Sequence, residues 1–186
     1  MRAVLKAFLL FVVLGIVIGT VGLFWFVNRG VSAREQPGRV EEFVARRVRN
    51  MAISRQAQAL TNPVGESADA IADGRAHFAD HCALCHGNDG SGNTEIGGGL
   101  WPKPPDMRLA ATQNLSDGEL FWIIQNGIRF TGMPAWGSEH GHDDADNWKL
   151  VRFIRQLPKL TPHEIEEMEA LNPKAPDEKL EKPHHH

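Results

Sequence analysis

Apolar and polar positions are spread unevenly along this 186-residue chain. Residues 7–27, AFLLFVVLGIVIGTVGLFWFV, contain no charged side chain. A helix of that length reaches roughly 30 Å, the thickness of a bilayer core. Arg2 and Lys6 precede it, and Trp25 and Phe26 stand at its far end, where aromatic rings suit a membrane–water interface. The pattern predicts a transmembrane anchor over residues 1–28. A cleaved leader is the competing reading, with VSA at residues 31–33 as the cleavage motif. Leader cores run about 7–15 residues, shorter than this stretch, so an uncleaved anchor is expected.

Residues 29–66 read as a polar connector followed by an amphipathic spacer helix. Val40, Phe43, Val44, Val48 and Met51 recur at spacings of three and four, with Arg46, Arg47, Arg49 and Arg55 between them. A juxtamembrane spacer is the plain reading. A basic amphipathic helix resting on anionic lipid or on a membrane partner is the sharper one. Asn62-Pro63 ends the segment, because the residue before a proline is driven out of the helical region.

A compact domain is expected over residues 67–158. Ser67 can cap a helix through residue 82, and a glycine-rich loop follows over 87–99. After the proline-rich LWPKPPDMR, a second helix starts at the cap Ser116 and stops at Gly127, turning Leu120, Phe121 and Ile124 inward. The loop GIRFTGMPAWG leads to a last helix, begun by Asp143 or Asp144 and ended before Pro158. Few β-type alternations occur, so the class is all-α. Roughly 90 residues make a small core, and something besides side chains is expected to fill it. Residues 159–186 read as a short acidic helix and a flexible tail; the terminal HHH, His184–His186, carries no weight.

The formal net charge of -3 and pI near 6.3 give no reason to expect nucleic acid. Cysteine usage changes the picture more. The two cysteines both fall in ADHCALCHGND, as Cys82 and Cys85, with His86 next in line. A redox dithiol needs a thioredoxin-like βαβ context, which is missing. Structural zinc needs about four ligands, and adjacent Cys85 and His86 converge poorly on one small ion. A disulfide across two residues closes too short a loop to stabilise much. The pattern C-x-x-C-H attaches a c-type haem. Cys82 and Cys85 would form the two thioether bonds, His86 would be carried to the iron, and haem would supply the missing core.

A haem bound through His86 leaves a sixth iron position. Met133 is the candidate, because Gly132 and Pro134 define the loop that presents it. Met107, the other methionine inside the domain, follows the proline-rich loop, and core filling is the ordinary alternative for any lone methionine. A Met/His pair raises reduction potential.

With these motifs together, the chain resembles the class I monohaem cytochromes c, tethered by an N-terminal anchor. DGRAHFADHCALCHG resembles the family's first helix and haem motif, GMPAW its methionine loop, and WKLVRFIRQL its last helix. The resemblance implies that Gly74 and Phe78 pack crosswise on Leu150 and Phe153. It implies that Leu100 and Trp101 lie along the haem edge, that Trp122 and Trp136 wall the pocket, and that Pro102, Pro104 or Pro105 offers a carbonyl to His86. It implies one covalent haem c, electron transfer between Fe(II) and Fe(III) with redox proteins at the membrane, and no catalysis by the chain. A haem c subunit of an oxidase or dehydrogenase complex is the alternative, and a gas sensor with a displaceable Met133 a further one. It also implies a haem domain on the periplasmic side of a bacterial inner membrane. The positive-inside count opposes that side, since Arg29, Arg34, Arg39, Arg46 and Arg47 follow the span.

Other motifs carry less. GNDGSGN lacks the Lys-Ser/Thr ending of a phosphate loop, and as a calcium loop from Asp89 it has Leu100 where a carboxylate belongs. His140 and His142 in EHGHDD read as a solvated loop, and His77 and His81 as surface residues.

Overall fold

The structure is a computed structural model describing residues 2–29, 38–137 and 145–174. His140, His142, Asp143, Asp144 and the terminal histidines lie outside the described residues. Among the described residues there is no strand, and the class is all-α. The chain divides into two units, Met1–Glu35 and Gln36–His186.

In the first unit, helix α1 (Arg2–Arg29) is one continuous element, apolar on every side. Its polar groups turn back on its own backbone: Thr20 Oγ1 donates to the Ile16 carbonyl and Asn28 Nδ2 to that of Phe24, each at 2.8 Å. By length and composition α1 can cross a membrane; a leader sequence passes the same test.

The second unit begins with α2 (Arg39–Ala52) and α3 (Arg55–Gln58). Periodicity predicts one helix over residues 40–60. Ser54 divides it, because its hydroxyl accepts from the Ala57 N–H at 3.1 Å and so caps a new turn, while buried Ile53 is extended. From there on the segment belongs to the domain. Ala57 is buried, Ser116 Oγ donates to the Gln58 carbonyl at 2.9 Å, and Asn62 Nδ2 donates to that of Trp148 at 2.9 Å.

Ser67 caps α4 (Ala68–His77) as its sequence predicts, accepting from the Ala70 N–H at 3.1 Å. The helix then widens into a π turn (Phe78–Cys82), closed by the Ala83 N–H on the Phe78 carbonyl, before α5 (Ala83–His86). Short helices α6 (Glu95–Gly98) and α7 (Ala110–Gln113) punctuate the loops, the first inside a stretch expected to be loop throughout. Helix α8 (Asp117–Asn126) starts with a full capping box between Ser116 and Glu119. Helix α9 (Ala145–Ile154) completes the crossing pair with α4.

The crossing is where the core sits. Phe78 and Phe153 rings lie 5.2 Å apart, and Phe121 stacks on Trp148 at 3.9 Å. Leu150, Val151 and Phe153 are buried in the same cluster. Arg155 binds α9 to the approach of α8, donating to Asp117 and to the Gln113 and Leu115 carbonyls. The chain does not leave the core at residue 158. Helix α10 (Pro162–Glu169), capped by Thr161, puts Met168 fully into the main cluster, although its other residues read as an acidic tail.

At Gly74 a Cβ would stand 2.2 Å from the Lys149 carbonyl oxygen and 3.1 Å from the Phe153 Cβ. Alanine favours a helix interior over glycine by about 1 kcal/mol, while overpacking costs about 1–3 kcal/mol. The backbone carbonyl cannot swing aside, so the steric cost wins. Gly74→Ala is expected to lower the denaturation midpoint of the haem-loaded protein; an equal or higher midpoint would show that the helices do not meet this closely.

Candidate haem-binding site

Cys82 ends the π turn and Cys85 lies in α5, three positions on, so both thiols sit on one helical turn. Both are free and partly exposed. Burial, with Cys85 beside it, pushes the Cys82 thiol up to about 12, so it rests protonated. His86 follows at the end of α5. Burial lowers its pKa to about 4, keeping the imidazole neutral at physiological pH. Its Nδ1 is buried with no hydrogen-bond partner.

Gly87, at φ +75°, ends α5 and turns the chain back along it. Gly92 N–H donates to the His86 carbonyl at 2.7 Å, and Thr94 Oγ1 reaches the carbonyls of Leu84 at 2.9 Å and Cys85 at 3.2 Å. Asp89 and Asp106 hold Arg108 between them at 3.0 and 2.8 Å, and the Met107 N–H donates to the Gly90 carbonyl. The glycine-rich loop is therefore a pinned strap behind the haem motif. A Cβ on Gly97 would come within 2.6 Å of the Cys85 carbonyl oxygen, and one on Gly92 within 2.5 Å of that of Pro104.

Met133 is held from both sides through its backbone. Its N–H donates to Thr131 Oγ1 at 3.1 Å, and its carbonyl accepts from the Ile128 N–H at 3.1 Å. Gly127, at φ +62°, lets the loop fold back so closely that a Cβ there would lie 2.7 Å from the Met133 carbonyl oxygen. Trp136 N–H donates to the Ile124 carbonyl, closing the loop on α8. The thioether side chain is partly exposed, whereas Met107 is only 7% exposed within the core.

The methionine loop meets the haem motif's surroundings at two points. The Trp136 ring lies 5.1 Å from that of His81, next to Cys82. At the other end, a Cβ on Gly132 would meet Leu100 at 2.7 Å, and Leu100 follows the α6 turn that backs Cys85. Leu100, Trp101, Trp122 and Trp136 are all half-buried. Leu100 thus joins the two loops, Trp136 joins the methionine loop to the π turn, Trp101 precedes a cis Pro102, and Trp122 sits on α8. None of Pro102, Pro104 and Pro105 accepts a hydrogen bond from the His86 ring; Pro104 instead sits over Gly92. His77 is half-buried and His81 exposed, and their rings pair edge-on at 4.8 Å.

Gly127, Thr131 and Thr94 position this site and escaped the sequence reading. Gly127 reads only as a helix stop, and the two threonines act through single hydroxyl contacts that no periodicity signals.

Among the described residues no three His, Cys, Asp or Glu side chains are arranged to hold a metal ion. Two unlinked thiols on one turn, a neutral imidazole with an unpartnered ring nitrogen and a thioether in a fixed loop form a donor set that fits haem c.

No curated protein matches the chain. A family model described as "Cytochrome C oxidase, cbb3-type, subunit III" matches residues 69–154, from the first turn of α4 to the last residue of α9. Residues 69–154 of the chain are thus a cytochrome c domain, the kind that transfers electrons through haem.

Proposed function

We propose that this chain is a membrane-anchored, single-haem electron carrier whose haem is covalently held by Cys82 and Cys85 and ligated by His86 and Met133. The observation that carries the reading is the pairing of two free thiols and an uncharged His86 on one turn with a clamped Met133 loop that touches His81 beside Cys82 and Leu100 beyond α6. When bound, haem supplies a one-electron couple.

The residues divide the work. Cys82 and Cys85 tether the group, and the strap of Gly92, Thr94 and Gly97 keeps their backbone from moving. His86 offers a lone pair that needs no deprotonation. Met133 offers a soft thioether, which favours the reduced metal, and closes the position where an oxygen or peroxide substrate would enter. Leu100, Trp101, Trp122 and Trp136 exclude water around it. Leu84, Ile96 and Phe130 are exposed apolar side chains on the elements that carry the site, fitted to brief contact with a redox partner. Phe130 is 93% exposed at φ +62°, a strained posture for a large side chain.

The proposed organisation is an anchor over residues 1–28, a connector over 29–66, a haem domain over 67–158 and a tail over 159–186. In it, residues 53–64 and α10 complete the domain's packing. The domain lies on the periplasmic side of a bacterial inner membrane, where exported cytochromes receive haem. The matched family's name favours a second reading, in which the chain serves as the haem c subunit of an oxidase complex. Isolation from gently solubilised membranes separates the two: a lone redox-active chain supports the carrier, and co-purifying integral-membrane subunits support the complex.

Denatured protein extracted with acidified organic solvent should keep its colour on the polypeptide, and colour leaving with the solvent would refute covalent attachment. Reduced wild-type protein should bind carbon monoxide poorly, whereas Met133→Ala should bind it readily with the haem still attached. Met107→Ala should lose stability, by about 2–5 kcal/mol for a buried methionine, without gaining carbon monoxide binding. The opposite pattern would make Met107 the ligand.

A further inference from the structure

Helix α2 is left without a partner on one side. Val40, Phe43, Val44, Val48 and Met51 share a face at helical spacing, and each is at least 50% exposed. Its opposite side faces the domain. Arg49 is the one α2 residue that is half-buried rather than exposed, and it lies within electrostatic reach of Glu119 at the start of α8. The apolar stripe is therefore turned away from the domain.

We propose that α2 lies on the surface of an anionic lipid membrane, with this stripe among the headgroups, as a second membrane contact beside the anchor. The proposal rests on the anchored reading given above. Three observations select lipid as the occupant. Residues 30–37 join Arg29 to Gly38, and a chain of that length spans at most about 30 Å even when extended, so an inserted α1 limits the start of α2 to that distance from the bilayer. Arg39, Arg46 and Arg47 border or interrupt the stripe, and Arg47, four residues after Phe43, can run its stem along the apolar face and set its guanidinium among phosphates. Glu42 pairs with Arg46, which leaves Arg39 and Arg47 for the lipid. Finally, one helix of 14 residues offers a narrow stripe about 21 Å long, short of the roughly 800 Å² per partner of a stable protein interface.

This role also reduces the conflict in sidedness. Arg39 and Arg47, two of the five arginines that the positive-inside count treats as a cytoplasmic signal, become lipid contacts on the domain's own side of the membrane.

The test uses the full haem-loaded chain reconstituted in vesicles of phosphatidylglycerol and phosphatidylcholine, with benzoylphenylalanine replacing Phe43 in one sample and Val17 of α1 in another. Illumination and mass spectrometry identify the adducts. Lipid adducts at both positions are expected, with the yield at Phe43 falling several-fold in pure phosphatidylcholine or with Arg47→Glu. Lipid at Val17 with nothing or protein at Phe43 would overturn the proposal and leave the anchor standing. An undiminished yield at Phe43 in pure phosphatidylcholine would overturn the anionic preference. Lipid at neither position would overturn the anchor as well.

Discussion

At Gly74 the backbone of α4 comes so close to the Lys149 carbonyl that no side chain fits between them, and this contact sets the direction in which the chain arrives at the haem motif. Helix α4 runs on without an intervening loop into the π turn and α5, so the place of Cys82, Cys85 and His86 is fixed by where α4 crosses α9. A π turn adds a residue to a helical turn and swings the next turn around the axis; such turns gather at functional sites. Here it sits immediately before the first thiol.

The second half of the site depends on the same frame by another route. Helix α8 packs on α9 through Phe121 and Trp148, and its C-terminal end provides the Ile124 and Gln125 carbonyls on which the methionine loop closes. Met133 is thus presented by backbone bonds, and its side chain stays partly exposed. His86 is likewise fixed through its carbonyl by Gly92, while its ring nitrogen has no partner. Both proposed ligands are held by main chain and offered by side chain, which is the division a metal site needs.

Features written in local chemistry were legible in the sequence. Ser67, Ser116 and Gly127 mark helix ends because caps act within one turn, and Cys82, Cys85 and His86 announce themselves by spacing. The Gly74 and Phe78 contacts with α9 came through family resemblance, since no spacing within either helix reports a crossing. The features that stayed hidden depended on long-range burial or on a single atom. Met168 lies with Ile165 in an otherwise acidic helix, and only folding shows that it fills the core. Ser54 splits a convincing helical pattern because its hydroxyl finds the Ala57 N–H. Among the tryptophans, Trp148 carries the deepest packing, while Trp122 and Trp136 stay half-buried.

Proton NMR of the reduced, diamagnetic protein with labelled methionine methyl groups tests the central claim most directly. A methyl held over the face of a porphyrin lies in its ring current and resonates far upfield of ordinary methionine signals. Of the five methionines, one methyl is predicted there, and Met133→Ala should remove that signal while leaving the rest in place. No upfield methyl, or one that survives Met133→Ala and vanishes with Met107→Ala, would contradict the account.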